Sequence, residues 1–187
     1  CALNGLSVVM QDISGQALER GQQAIETSLD RLAAKEKISV GAKSAALGKI
    51  RCSTELKTLS DTQLVVEATT ENMDIKVPVF EALDRICGPE TILASNTSSL
   101  SLTTLAAASG RPNKVVGMHF FNPVPLMKLV EIIRALQTSD ETYQTVEAFT
   151  RKLGKEPVTV KDSPGFVVNR MLVPMINEAA FILYESL

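Results

Sequence analysis

Short apolar runs alternate with longer amphipathic stretches along the chain. The runs SVVMQD, IRCST, QLVVEAT, TILASN, KVVGMHF, KLVEII and EPVTVK are rich in Val, Ile and Leu, which predicts short, largely buried strands. Between them, apolar residues three and four apart predict helices over about 14–37, 72–86 and 139–153. Ser14 is a suitable N-cap for the first, and Gly41 is expected to end it before a short second helix. This alternation predicts a doubly wound, Rossmann-like and mainly parallel α/β sheet.

The two ends of the chain depart from a complete domain of this kind. A G-x-G-x-x-G turn normally precedes the acidic residue after the second strand by about 20 residues, but only 11 residues precede Asp12. CALNG resembles the last turn of the helix that follows such a turn. We therefore expect residues 1–162 to form a dinucleotide-binding domain that lacks its first strand and glycine-rich loop, with a helical arm over about 14–49. In the strand order 3-2-1-4-5-6 the first strand is central, so two neighbouring strands would be left unpaired.

Residues 163–187, after the DSPG break, are expected to give the first helix of an incomplete, helical C-terminal domain.

Composition narrows the class of protein. Apolar residues make up 45% of the chain, charged residues 21%, and the net charge is −2, which is typical of a soluble globular protein without a nucleic-acid or polybasic membrane surface. No apolar run reaches the roughly 18 to 20 residues of a spanning helix. Three cysteines without paired spacing and a single histidine predict neither a disulfide framework nor a metal site. We expect a cytoplasmic protein that binds no metal, nucleic acid or membrane.

Asp12 stands where a strand ends. In dinucleotide-binding folds an acid at this position accepts hydrogen bonds from the adenosine ribose hydroxyls and disfavours a 2′-phosphate, so NAD is preferred over NADP. A strand-end aspartate also commonly caps the following helix. The residues alone leave both roles open.

His119, the only histidine, ends an apolar run, and Glu131 lies 12 residues further on within another. An imidazole can take and return a proton near neutral pH, and a carboxylate can orient it. A buried Glu131 needs a partner, for which His119 and Lys128 are both candidates. A buried structural histidine is the alternative reading.

Four further motifs occur in order: VVEATTEN, ASNTSSLS, GMHFFNPVPLMKLVE and DSPGFVVNR. Together they closely resemble the 3-hydroxyacyl-CoA dehydrogenases, especially the short-chain 3-hydroxybutyryl-CoA type. The resemblance implies a Rossmann-like enzyme that oxidises a 3-hydroxyacyl-CoA to the 3-ketoacyl-CoA with NAD as hydride acceptor, or reduces acetoacetyl-CoA in reverse. It also implies a homodimer formed through a C-terminal helical domain.

The same resemblance assigns roles to individual residues. His119 matches the catalytic base and Glu131 the carboxylate that orients it, while Ser98 and Asn169 match the groups that hold the reacting oxygen. The cofactor-binding positions are matched by Asp12, Glu71, Lys76, Asn96 and Asn122, and the CoA-binding positions by Ser28 and Lys35.

Ordinary structural roles remain open for most of these residues. Ser98 and Asn169 could cap helices, and Glu71 and Lys76 could belong to a solvated helix start. Ser28 and Lys35 could lie on an exposed polar helical face, where Arg31, Lys37 and Lys43 compete for a phosphate.

Three alternatives to a free-standing enzyme of this family remain. One is a non-catalytic NAD-binding relative that keeps the fold as a structural protein. Another is a fragment of a multifunctional fatty-acid oxidation protein. The third is a different NAD dehydrogenase on the same fold.

Overall fold

The computed structural model describes residues 1–187 as seven strands and six α-helices. The strands are β1 (Val8–Gln11), β2 (Ile50–Ser53), β3 (Leu64–Glu67), β4 (Ile92–Ser95), β5 (Val115–Phe120), β6 (Leu129–Arg134) and β7 (Glu156–Lys161). The helices are α1 (Gly15–Ala34), α2 (Val40–Leu47), α3 (Met73–Ile86), α4 (Leu102–Ala108), α5 (Asp140–Lys152) and α6 (Val168–Tyr184). The chain divides into two compact units, residues 1–62 with 86–88, and residues 63–85 with 89–187.

In the first unit, β1 and β2 pair in parallel. Helix α1 approaches β1 closely at Gly21, where a Cβ atom would lie 3.2 Å from Cε of Met10. The side chain of Ser14 caps α1 by accepting a hydrogen bond from the backbone N–H of Ala17 at 3.2 Å, which confirms the predicted helix start. The buried apolar residues of this unit are Leu18, Leu29, Ala46, Leu59 and Cys87.

The predicted break at Gly41 is wrong, because Gly41 lies inside α2. The first helix ends at Ala34, and the chain then turns through Glu36, whose φ is 54°. Ser39 starts α2, since its Oγ accepts a hydrogen bond from the N–H of Ala42 at 3.0 Å. A serine cap, and not the glycine, therefore sets this boundary.

In the second unit, five strands form one sheet in the order β3-β4-β5-β6-β7. All neighbours are parallel except β5 and β6, so the sheet is mainly parallel as predicted. The loop over 121–128 explains the exception, because a parallel connection needs a crossover of a dozen or more residues. Strands β1 and β3 each have a partner on one side only.

Successive side chains of β5 point to opposite faces of this sheet. On one face a cluster of buried apolar residues packs with α5: Ile92, Ala94, Val116, Met118, Ile132 and Val146. On the other face Gly117 lets α4 approach, because a Cβ atom there would lie 2.8 Å from Cβ of Ile133 and 3.2 Å from Cγ of Leu102. His119, two residues after Gly117, points to this same face.

Asp162, just after β7, fixes the start of α4. Its Oδ2 accepts hydrogen bonds from Oγ of Ser101 and the N–H of Thr103, both at 2.8 Å. Burial raises the pKa of Asp162, but these hydrogen bonds outweigh burial and hold its pKa below the ordinary value of 3.8.

Helix α6 projects many exposed apolar side chains, among them Met171, Leu172, Val173, Met175, Ile176, Phe181, Ile182 and Leu183. None of the helices is both long and apolar enough to cross a membrane.

Candidate active site

The candidate active site is built around His119 near the carboxyl end of β5. His119 and Glu131 are direct partners across the antiparallel β5–β6 pair, so both side chains leave the same face. Nδ1 of His119 lies 2.8 Å from Oε2 of Glu131, and the two residues are only 5% and 1% exposed. An ionised carboxylate only accepts hydrogen bonds, which assigns the ring hydrogen to Nδ1 and the lone pair to Nε2.

The second oxygen of Glu131 is held by backbone. Oε1 accepts hydrogen bonds from the N–H groups of Val167 and Val168, each at 3.0 Å. Lys128, the other candidate partner, instead lies 3.7 Å from Glu156, and both of these side chains are largely exposed. The buried carboxylate of Glu131 therefore has His119 as its side-chain partner, and its position depends on the start of α6.

Ser98 faces the other ring nitrogen, since its Oγ lies 3.2 Å from Nε2 of His119. Ser98 belongs to the turn after β4, and Glu71 holds this turn. Oε1 of Glu71 accepts hydrogen bonds from Oγ1 of Thr97 at 2.6 Å and from the N–H groups of Ser98 and Ser99 at 2.8 and 3.1 Å. Burial raises the pKa of Glu71, but these hydrogen bonds outweigh it and hold the pKa below 4.5.

Asn169, in the first turn of α6, joins the same group. Its Nδ2 donates a hydrogen bond to the carbonyl of Ser98 at 3.4 Å. Two aromatic rings flank His119: the ring centre of Phe121 lies 4.6 Å from that of His119, and the ring of Phe166 approaches edge-on at 5.6 Å. The imidazole is therefore held beside two aromatic rings, with a polar partner at each ring nitrogen.

Lys76 is buried beside this site and is not part of a solvated helix start. Its Nζ donates to both carboxylate oxygens of Glu67, at 2.8 and 3.1 Å, and to the carbonyl of Thr69 at 3.2 Å. Ser95 donates from Oγ to Oε2 of Glu67 at 2.6 Å. Burial raises the pKa of Glu67, but the hydrogen bonds from Lys76, Ser95 and Thr69 outweigh it and keep the pKa below 4.5. Oε2 of Glu71 lies 3.7 Å from Nζ of Lys76 and extends the network towards the Ser98 turn.

The two asparagines differ in how far the protein fixes them. Asn96, directly after β4, accepts a hydrogen bond on Oδ1 from the N–H of Phe120 at 2.9 Å, which leaves its Nδ2 group as a donor. Asn122 is exposed, and its peptide bond to Pro123 is cis. The structure thus brings His119, Glu131, Ser98 and Asn169 together and sets Asn96 beside the end of β5.

In the first unit, Asp12 caps the turn into α1. Its Oδ1 accepts a hydrogen bond from the N–H of Ser14 at 2.8 Å. Only one carboxylate oxygen takes part in this bond, so Asp12 can stabilise the turn and still offer an acceptor to a ligand.

Ser28 lies on a face of α1 that carries two arginines. This face forms a shallow surface groove lined by Arg20, Gln23, Ala24, Thr27, Ser28 and Arg31. Lys35 is exposed just after the end of α1. Lys43 is instead engaged by Asp30 at 2.5 Å and Glu26 at 3.6 Å, which removes it as a competitor for an anion.

Sequence reasoning missed several groups that shape the site: Glu67, Ser95, Phe166 and the N–H groups of Val167 and Val168. A charged residue inside the apolar run QLVVEAT is a usable sign, because a buried Glu67 requires a cationic partner such as Lys76. The backbone donors to Glu131 leave no mark in the sequence, since any residue except proline supplies an N–H.

Comparison with known proteins shows the family of the chain. Residues 1–163 match the family model of the 3-hydroxyacyl-CoA dehydrogenase NAD-binding domain. The chain is 50% identical over 185 residues to the "Probable 3-hydroxybutyryl-CoA dehydrogenase" of Deinococcus radiodurans, covering 99% of this chain and 66% of that protein. It is 44% identical over 185 residues to the 3-hydroxybutyryl-CoA dehydrogenase of Bradyrhizobium diazoefficiens, covering 99% of this chain and 63% of that one.

A solved structure is also similar. The (S)-3-hydroxybutyryl-CoA dehydrogenase of Ralstonia eutropha superimposes with a TM-score of 0.96 at 54% identity, covering 100% of this chain and 66% of that one. The chain therefore spans slightly less than two thirds of the length of these relatives. On the family match, the chain belongs to the 3-hydroxyacyl-CoA dehydrogenase family and contains its NAD-binding, Rossmann-like domain.

Proposed function

We propose that the protein oxidises the 3-hydroxyl group of an (S)-3-hydroxyacyl-CoA to a ketone with NAD, and reduces acetoacetyl-CoA in the reverse direction. The observation that carries this proposal is the line of three side chains, half-buried Ser98 and buried His119 and Glu131, joined at 3.2 and 2.8 Å. Such a line places a proton acceptor beside a hydroxyl donor in a confined site, which suits the removal of a proton from an alcohol.

In this mechanism His119 acts as general base in oxidation and general acid in reduction. Nε2 carries the lone pair, so it can take the proton of a substrate hydroxyl placed beside Ser98. Glu131 accepts the hydrogen of Nδ1 and stabilises the imidazolium that forms. The backbone donors to Oε1 prevent Glu131 from turning away, so the ring keeps the required tautomer and direction.

Ser98 and Asn169 are proposed to hold the reacting oxygen. Both are neutral donors, and neutral donors aimed at an oxygen stabilise the negative charge that develops on it during transfer. Glu71 supports this role indirectly, because it fixes the backbone of the turn that carries Ser98.

The residues present fit a nicotinamide dinucleotide. Bound NAD⁺ supplies the hydride acceptor for the oxidation. Asn96 has a free Nδ2 donor at the carboxyl end of β4, where ligands bind in open α/β sheets, and exposed Asn122 offers a second amide. Asp12 retains an oxygen for ribose hydroxyls, and its charge disfavours a 2′-phosphate. We assign to Asp12 a contact with the adenosine ribose and to Asn96 and Asn122 contacts with the nicotinamide half. Glu71 and Lys76 are proposed to line the nicotinamide pocket.

The CoA part of the substrate is proposed to contact Ser28 and Lys35. The groove along α1 supports this assignment, because Arg20 and Arg31 add positive charge on the face of Ser28. A guanidinium group can bind a phosphate in a bidentate way, through two parallel N–H···O hydrogen bonds, which suits the phosphates of CoA.

The proposal is tested on the protein at its natural encoded length by following NADH absorbance with acetoacetyl-CoA. Wild type is expected to consume NADH, and His119→Gln to lose several powers of ten in rate while binding NADH as before. Glutamine keeps polar atoms but cannot accept and return a proton at neutral pH. The exposed variant Glu156→Gln serves as control. A wild type that binds NADH but turns over no 3-ketoacyl-CoA would instead favour the non-catalytic NAD-binding relative.

Assembly stays a prediction of the family resemblance, which implies a homodimer formed through a helical C-terminal domain. The exposed apolar side chains of α6 support a further packing partner for this helix. Light scattering of the protein at its natural length measures the state directly, and a monomeric mass contradicts the prediction.

A further inference from the structure

The loop over 121–128, between β5 and β6, carries two groups of the candidate site. Phe121 packs against the ring of His119, and Asn122 is the proposed nicotinamide contact. Residues 122–128 are all exposed to solvent. Within the loop, the N–H groups of Leu126 and Met127 both donate to the carbonyl of Pro123, at 2.9 and 3.0 Å. These bonds shape the loop but do not attach it to the rest of the protein.

Lys155 provides that attachment. Its Nζ donates hydrogen bonds to the carbonyls of Val124 and, at 2.6 Å, Met127. Directly afterwards, the N–H of Glu156 donates to the carbonyl of Lys128 at 2.9 Å. One ammonium group therefore joins two carbonyls on the outer part of the loop to the start of β7.

The backbone of Lys155 is itself firmly placed. It follows Gly154, whose φ of 73° closes the end of α5. The N–H of Gly154 donates to the carbonyl of Arg151 at 2.9 Å, and that of Lys155 to the carbonyl of Thr150 at 3.2 Å. The ammonium therefore reaches the loop from a rigid helix end.

The chemistry of Lys155 is unusual for a lysine near the surface. Its hydrogen bonds go to two neutral carbonyls, and burial lowers the pKa of the ammonium. The neighbouring Glu156 approaches Lys128 instead, at 3.7 Å. Partial desolvation of a cation costs free energy, and the charge-assisted bonds to the loop offset this cost.

Resting on the function proposed above, we propose that Lys155 is a positioning residue that holds the 121–128 loop so that Asn122 can receive the nicotinamide end of the cofactor. The loop is fixed on one side by the bond from the N–H of Phe120 to Asn96 and on the other by Lys155 at Val124. Asn122 lies between these two points. Without Lys155 the loop keeps its internal turn but is no longer held in one position relative to β7. Part of the cofactor's binding free energy is then spent on ordering the loop, which weakens NADH binding.

The test compares wild type, Lys155→Met and Lys155→Arg at the natural encoded length. Lys152→Met is the matched control, because Lys152 is exposed in the last turn of α5 and touches neither carbonyl. NADH binding is measured by fluorescence titration, and turnover with acetoacetyl-CoA gives KM for both substrates. For Lys155→Met we expect Kd and KM for NADH to rise roughly tenfold, the equivalent of about 1.4 kcal/mol. The KM for acetoacetyl-CoA should change less than about twofold.

Lys155→Arg keeps donors for both carbonyls and is expected to bind NADH nearly as well as wild type. A purely structural role would lower the thermal midpoint of Lys155→Met and leave the NADH Kd unchanged, and that result overturns the proposal. If the methionine variant does not fold, Lys155→Ala decides, because alanine has no donor for either carbonyl and an unchanged NADH Kd in that variant overturns the proposal equally. A wild type that binds no NADH refutes the proposed function and this inference together. If wild type binds and turns over NADH but the Lys155 variants show an unchanged NADH Kd, only this inference is refuted and the proposed function stands.

Discussion

Replacing Glu131 by glutamine removes one charge and keeps the shape of the side chain. The hydrogen bonds around Glu131 then allow the expected loss of activity and stability to be worked out. The carboxylate accepts hydrogen bonds on both oxygens, from Nδ1 of His119 on one and from the N–H groups of Val167 and Val168 on the other. Glutamine has only one acceptor oxygen. If that oxygen faces the backbone, the amide NH₂ faces Nδ1 and forces the ring hydrogen onto Nε2. If it faces His119, the NH₂ opposes two N–H groups.

Both orientations carry a definite penalty. The first gives the imidazole the wrong tautomer for a base, a defect that costs on the order of 10⁴ in kcat in serine proteases. The second leaves buried donors unpaired, which costs about 1–3 kcal/mol. A loss of about 2 kcal/mol in the free energy of unfolding lowers the thermal midpoint of a protein of this size by roughly 4–8 °C. We therefore expect Glu131→Gln to lose about three to four powers of ten in kcat, with at most a moderate loss of stability.

The assay is acetoacetyl-CoA reduction followed by NADH absorbance, with NADH binding and thermal unfolding measured on the same samples. Glu156→Gln is the control, since it removes an exposed carboxylate from neighbouring β7. Retention of more than about a tenth of the wild-type kcat would show that Glu131 does not set the tautomer of His119. Loss of NADH binding together with the rate would indicate general collapse of the site.

Two further predictions concern the scaffold. Gly117→Ala is expected to reduce the free energy of unfolding in urea by about 1–3 kcal/mol, because the new Cβ overlaps Ile133; Gly15→Ala, where nothing lies within 4 Å, should be close to neutral. Asp162 has a lowered pKa in the folded state, so its contribution is present above the ordinary value of 3.8 and is lost as pH falls through the folded value. Urea unfolding should therefore show a shallower loss of stability below about pH 4 for Asp162→Asn than for wild type, and equal slopes would contradict this.

The sequence predicted the arrangement of this fold well because its strands and helices differ in period. The buried runs around Val115–Phe120 and Leu129–Arg134 contain β-branched residues and short breaks, and the serine caps at Ser14 and Ser139 mark helix starts. The direction of β6 was not predicted, because side-chain alternation is the same in parallel and antiparallel strands. The prediction that Gly41 ends the first helix was wrong because a glycine is tolerated within a helix, and here the Ser39 cap defines the start of α2.

For the site, the sequence indicated which residues matter but not how they are held. The pairing of His119 with Glu131 could be proposed from residue types, while the choice between His119 and Lys128 required the strand register. The support of Ser98 by Glu71 joins residues 27 apart along the chain, and no local pattern reports such a bond. Backbone donors and loop carbonyls also leave no pattern in the sequence, so the N–H groups near Glu131 and the contacts of Lys155 are apparent only in the folded structure.

The antiparallel pairing of β5 and β6 has a consequence for how this part of the chain can change in length. His119 and Glu131 meet because they occupy opposed positions in the ladder, and the loop between them lies outside that ladder. Insertions within the loop therefore leave the two side chains opposed. Removing a single residue between Leu129 and Glu131 turns the carboxylate to the other face of the sheet, because side chains alternate. The pairing of His119 with Glu131 thus tolerates a change of chain length before Leu129 but not one between Leu129 and Glu131.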